Sequence, residues 1–258
     1  MHKEPLYPCN KNIFLGLVLT GLMVTSWSTQ AVDTSGNIAI ATDYRFRGIS
    51  QSDTNFAIQG GFDLSFESGF YAGVWASNVD FADDIEMDWL VGYTNELNED
   101  LSLDLGYIYY DYPGTEETIR TLNSNAKDDY QEVFAALAYK DLTVGVHYSD
   151  DYYLETGEFI YIYADYGFEL SHGIGLSLHY GLNLLEFSST DSNPKDAERA
   201  FLTGGADDYV DYSVSLSKEL VELNLSLSWV GTDLDEDECF GSSSLCDDAL
   251  VFSVSKEF

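Results

Sequence analysis

Apolar and polar residues alternate along most of this chain with a period of two. Ile174, Leu176, Leu178, Tyr180, Leu182 and Leu184 fall on one side of an extended segment, with Gly175, Ser177, His179, Gly181 and Asn183 on the other. Leu101, Leu103, Leu105, Tyr107 and Tyr109 alternate likewise with Ser102, Asp104, Gly106 and Ile108. Val221, Leu223, Leu225, Leu227 and Trp229 alternate with Glu222, Asn224, Ser226 and Ser228. The same pattern runs through 38–46, 56–66, 85–93, 142–148 and 210–216. A helix would spread these apolar positions around its axis, whereas a strand gathers them on one face. Residues 70–81 and 158–170 also read as extended, but the pattern does not fix their faces. The expected strands are 37–48, 54–67, 69–81, 85–97, 101–112, 130–140, 142–151, 158–170, 174–186, 209–218, 221–231 and 249–258. That is about twelve, an even number, as a closed bacterial outer-membrane barrel requires.

The connections sort by length. Glu67-Ser68-Gly69, Asn98-Glu99-Asp100, Asp141, Ser171-His172-Gly173 and Glu219-Leu220 are tight turns. Between them, on the opposite rim, 113–129, 187–208 and 232–248 are long and polar. Long loops at one end and short turns at the other are the asymmetry of an outer-membrane barrel.

Alternation by itself leaves two arrangements open. A soluble β protein turns its apolar face inward, whereas an outer-membrane barrel turns it toward lipid and keeps a polar lumen. Three features favour the inverted arrangement. The clear apolar faces carry no charge, whereas their partner faces hold Asp43, Arg45, Arg47, Asp63, Glu86, Asp88, Asp104, Asp211 and Glu222. Aromatics such as Tyr44, Phe46, Trp89, Tyr93, Tyr107, Tyr109, Tyr148 and Trp229 gather near strand ends, where interfacial girdles form. The chain ends in a strand with Leu250, Phe252, Val254 and Phe258 on one face. A terminal aromatic with this spacing is the type of signal read by the outer-membrane assembly machinery. Lys256 interrupts that face near the periplasmic edge, where a charge costs far less than at the midplane.

The first 31 residues predict a cleaved secretory signal: Lys3 and Lys11, the apolar run Ile13 to Val24, then Thr29-Gln30-Ala31. The barrel is expected over 32–258. After cleavage two cysteines remain, Cys239 and Cys246, and an exported chain favours their pairing as a small loop-closing disulfide. The 258-residue chain carries 11 basic against 45 acidic residues, a formal net charge of -34, which excludes an electrostatic grip on nucleic acid. Composition is 15% aromatic, with 19 Tyr and only 4 Pro, which suits strands and not a helical bundle.

Three blocks stand out: Tyr44-Arg45-Phe46-Arg47-Gly48-Ile49-Ser50-Gln51, then Gln59-Gly60-Gly61-Phe62-Asp63, then Gly69 through Phe81 (GFYAGVWASNVDF). Together they resemble the amino-terminal signature of the TorF-type porin family of proteobacterial outer-membrane proteins, and Ile85 to Tyr93 is similar to its next strand. The resemblance covers roughly residues 43 to 93. It implies a β-barrel and a channel, and supplies no substrate and no catalytic residue.

On the residues' own terms, Asp43, Arg45 and Arg47 would line one wall near the outer end of the first strand. Asp63, Glu86 and Asp88 on neighbouring strands would oppose them and set up a transverse field, as charge rings do in selective pores. Asp43, Arg45, Arg47, Gln59, Asp63, Glu86, Asp88, Asp104, His147, His179, Asp211 and Glu222 are thus the candidate pore-lining residues. Equally, the two arginines could neutralise buried carboxylates and fill the lumen, since small barrels are packed with side chains.

Enzymatic chemistry is not expected. His147 and His179 face the polar side, away from where a membrane hydrolase would need its Ser/His pair. Asp233 to Asp237 suggests a calcium loop, but Glu238 stands where glycine is required and Ser244 where the bidentate glutamate belongs. Neither a cofactor nor a metal is expected. Two functions remain: a diffusion channel for small hydrophilic solutes or ions, biased toward cations, or a non-conducting barrel acting through its acidic outer loops. The expected partners are outer-membrane lipid and lipopolysaccharide, the assembly machinery, and the small solutes or ions themselves.

Overall fold

The computed structural model describes residues 32–80, 85–113, 127–185, 202–241 and 243–258. The expected signal segment at 1–31 lies outside the described residues, as does most of the loops 113–129 and 187–208. In chain order the strands are β1 (Val32–Ala41), β2 (Arg45–Phe46), β3 (Ile49–Ser50), β4 (Ala57–Phe66), β5 (Phe70–Asn78), β6 (Ile85–Asn98) and β7 (Leu101–Asp111). They continue as β8 (Tyr130–Tyr139), β9 (Leu142–Ser149), β10 (Phe159–Leu170), β11 (Ile174–Leu185), β12 (Asp208–Leu220), β13 (Leu223–Thr232) and β14 (Ala249–Glu257). β1 and β4 through β14 form one closed antiparallel barrel of twelve strands; β2 and β3 pair only with each other. The seam closes where β1 meets β14, and Phe258 exchanges both backbone hydrogen bonds with Gly36 at 2.9 Å.

On the strands whose faces the alternation fixes, the apolar side meets the outside. Ile38, Ile58, Phe62, Val91, Val144, Ile162, Leu178, Leu216 and Leu227 are exposed on the outer face. Their neighbours Gln59, Asp63, Glu86, Asp88, Glu132, His179, Asn183 and Asp211 are buried inside. This is the inverted, membrane-spanning arrangement. Aromatics ring both ends of the outer wall: Trp89, Tyr148 and Trp229 toward the long-loop rim, Phe70, Tyr139, Tyr166 and Phe258 toward the short-turn rim.

The strand faces that the pattern leaves open are settled by packing. Phe159, Tyr161 and Tyr163 point inward and are buried, while Ile160 and Ile162 point outward, so β10 is apolar on both faces. On β5, Tyr71 and Ser77 are buried inside the barrel.

Two expectations are corrected. The first barrel strand ends at Ala41 and not at residue 48, because the chain then turns into the lumen as the β2–β3 hairpin. Tyr44 and Phe46 therefore belong to the interior and not to a lipid girdle; Tyr44 is 1% exposed. At the other rim, Val221 and Glu222 form a two-residue turn between β12 and β13, with φ of 53° and 65°. Both residues are left-handed, as a type I′ hairpin turn requires. Glu222 thus leaves the interior: its side chain is 79% exposed and accepts a hydrogen bond from Lys256 at 2.8 Å.

Candidate functional site

The barrel interior is divided by the segment 42–56, which crosses it. Asp43, Tyr44, Arg45, Arg47, Ile49, Ser50, Gln51 and Ser52 are all buried. The hairpin reverses at Arg47-Gly48, where φ is 47° and 82°, again both positive. A Cβ on Gly48 would lie 2.5 Å from Thr232 Cγ2 and 2.7 Å from the Gly231 carbonyl oxygen, so the tip is pressed against β13.

Each side chain of the hairpin reaches a different part of the wall. Tyr44 donates from its hydroxyl to Glu86 of β6 at 3.1 Å, and its ring packs edge-on against Trp75 of β5. Arg47 donates through both terminal nitrogens to the two oxygens of Glu132 on β8, each at 2.8 Å. Its guanidinium also lies over the rings of Phe159 (4.7 Å) and Tyr161 (4.4 Å) of β10. Arg45 donates to Asp43, to the Gly48 carbonyl, and to the carbonyls of Leu245 (2.9 Å) and Asp247 (2.8 Å) in the last outer loop. That loop is closed by the Cys239–Cys246 disulfide, the pairing expected from the sequence. Asp43 is shared, accepting from Ser50 and Ser52 as well. With contacts to β5, β6, β8, β10, β13 and the last loop, the hairpin spans the lumen's cross-section in its outer half.

The expected face-off between arginines and Asp63, Glu86 and Asp88 is therefore replaced. Arg45 is paired with Asp43 on its own hairpin, and Arg47 with Glu132 across the barrel. Glu132 was not legible as a partner: it is a lone glutamate in 130–140, a stretch whose faces are blurred by alanines. Its position two residues from the inward Tyr130 and Phe134 is the one signal that points inward. His147 completes this cluster, its Nδ1 being 2.9 Å from Glu132.

A second cluster sits beside the first. His179 is held between Asp165 (2.6 Å) and Asp211 (2.8 Å), with the Tyr161 hydroxyl 2.9 Å from its Nε2. Asn183 donates to Asp211 at 2.8 Å. Gly145 and Gly181 make room for these side chains, because the rings of Tyr163 and Tyr161 lie flat where a Cβ would project.

Nearer the short-turn rim the interior becomes small and polar. Ser177, Ser215 and Ser226 face it, with Asp104, which accepts from the Tyr71 hydroxyl at 2.7 Å, and Asp165, whose side chain is 29% exposed. Gln59 and Asp63 are buried on the β4 wall. Among the described residues, no group of three His, Cys, Asp or Glu side chains is arranged to hold a metal ion. Above the hairpin, Phe46, Tyr112, Tyr130, Tyr152, Tyr153 and Tyr209 line a narrow aromatic cleft; Tyr152 stacks on Phe159 at 4.0 Å and Tyr110 on Tyr130 at 4.3 Å.

A family described as bacterial protein of unknown function (Gcw_chp) matches residues 26–258. The chain belongs to this family. No curated protein matches the sequence. Among solved structures, the NanC porin superposes with a TM-score of 0.51 at 10% identity, covering 85% of this chain and 97% of that one. The KdgM porin gives 0.49 at 10% identity, covering 87% and 98%. OprD of Pseudomonas aeruginosa gives 0.38 at 12% identity, covering 88% and 66%. At such identity the likeness to NanC is one of fold: a closed, antiparallel barrel of the outer-membrane type.

Proposed function

We propose that this protein is an outer-membrane channel through which small hydrophilic solutes or ions diffuse passively, with a bias toward cations. The observation that carries this reading is the inverted barrel: an apolar outer wall around an interior of serines, carboxylates and hydroxyls that water can fill. Its charge argues for the bias. The arginines inside, Arg45 and Arg47, are each matched by a carboxylate, and nearer the short-turn rim Asp104, beside Tyr71, and Asp165, paired with His179, add further acidic groups to the wall. Carboxylates around a low-dielectric passage raise the local concentration of cations. The blocks RGISQ and GFYAGVWASNVDF support a place among the TorF-type porins. The exposed apolar face of β14, followed directly by Phe258, suits recognition by the assembly machinery, and the acidic outer loops would face lipopolysaccharide.

The occupied outer half of the lumen favours a second reading, a non-conducting barrel that binds surface partners through its loops. Swelling of proteoliposomes in isosmotic small sugars separates the two. A channel swells them at a rate that falls as the sugar grows. Folded, inserted protein that swells them no faster than empty liposomes, even with residues 44–52 replaced by a glycine-serine linker, would leave the second reading standing.

A further inference from the structure

We infer that the β2–β3 hairpin is a movable gate, held shut by Arg47 on Glu132 and by Arg45 on the disulfide-closed last loop. The inference rests on the channel reading and concerns how that same lumen opens.

The hairpin is in the barrel without being part of it. β2 and β3 form a separate two-stranded sheet and add no rung to the barrel ladder, so moving them leaves every wall strand paired. What fixes the hairpin is mostly side chain: the two-pronged Arg47–Glu132 pair, the Tyr44–Glu86 bond and the Arg45 contacts with Leu245 and Asp247. The closed position also carries local costs. Arg47 holds a left-handed backbone, and its Nε is buried with no hydrogen-bond partner. The return arm contains two more left-handed residues, Asp53 and Thr54, at φ of 48° and 59°. Swung toward the outer rim, Asp43, Arg45 and Arg47 would regain water, which suits charged groups better than any interior. Closed and open states are thus both provided for, and the Arg47–Glu132 pair decides between them.

Glu132 is the stronger lever of the pair. Glu132→Gln keeps the shape of the wall but leaves the Arg47 charge buried without its counter-charge, a situation that strongly favours release. Arg47→Gln acts in the same direction, since His147 remains to hold Glu132.

The test is single-channel recording of folded protein in a planar bilayer, comparing the native chain, Glu132→Gln, Arg47→Gln, and a variant whose residues 44–52 are replaced by a glycine-serine linker. Folding is checked by resistance to protease. The native chain is expected to open rarely. Either substitution is expected to raise the open probability by roughly tenfold or more. Step size should equal that of the linker variant, which stays open. A native chain that is open continuously at the linker variant's step size overturns the gate. Unchanged open probability in both substitutions, with the linker variant conducting, overturns the Arg47–Glu132 latch. A folded linker variant that does not conduct overturns the channel reading itself.

Discussion

The guanidinium of Arg47 shows how this molecule handles charge away from water. Burial disfavours a lone charge there, but both oxygens of the Glu132 carboxylate face the guanidinium at 2.8 Å. The pair is matched in charge and in geometry, each nitrogen facing one oxygen, which is the arrangement that makes a buried ion pair tolerable. Next to it, Gly48 is constrained twice, by its φ of 82° and by the β13 backbone against it. Gly173, at φ 67°, has the same backbone need but nothing within 4 Å of a Cβ. Gly173→Ala should therefore cost about 1–2 kcal/mol, the left-handed penalty alone. Gly48→Ala should expose the hairpin to protease as well, because its tip can no longer seat. Urea unfolding of the detergent-folded protein and limited proteolysis read the two effects. Equal behaviour of the two variants would contradict the packing of the hairpin tip on β13.

At the scale of elements, the barrel strands were legible wherever one face meets lipid. Strands β6, β7 and β11 start and stop within a residue or two of the alternation in 85–97, 101–112 and 174–186. The first strand was overrun for a physical reason. A hairpin lying inside a lumen also alternates, so Tyr44 and Phe46 against Asp43, Arg45 and Arg47 continue the pattern of β1 without belonging to it. The turn that would have flagged it is Arg47-Gly48, lacking the Asn-Gly or Asp-Gly pair that usually marks a type I′ reversal. The same blind spot moved Glu222 into a strand, since Val221-Glu222 is a still less typical type I′ pair, with a β-branched residue at φ 53°. This yields a prediction for the β12–β13 turn. Val221→Asn combined with Glu222→Gly supplies the preferred pair and should stabilise the barrel by about 1 kcal/mol. A fall in the urea midpoint would mean that the turn does not have this backbone. Of the site, the polar inner face was legible from parity, which brings Asp104, His147, His179 and Asp211 inside. Their partners were not, because Arg47–Glu132 and Asp165–His179–Asp211 depend on which strands the closed ring brings together.

At the scale of the whole molecule, inversion makes a strong claim about two neighbouring positions. Leu227 faces outward and Ser226 inward on the same strand. Leu227→Arg should cost roughly 2–4 kcal/mol in lipid if it lies near the midplane, whereas Ser226→Arg should cost much less. Refolding yields and urea midpoints in lipid vesicles compare them; a reversed order would contradict the assignment of faces. Inside the barrel both arginines are paired with carboxylates, and Asp104 and Asp165 face the interior nearer the short-turn rim.

The most direct test of the central claim is the reversal potential of the linker-opened channel in a planar bilayer under a KCl gradient. The account predicts a potential of the sign set by potassium, reduced toward zero when Asp104 and Asp165 are changed to asparagine. A potential of the sign set by chloride, or one that the two substitutions leave unmoved, would contradict it.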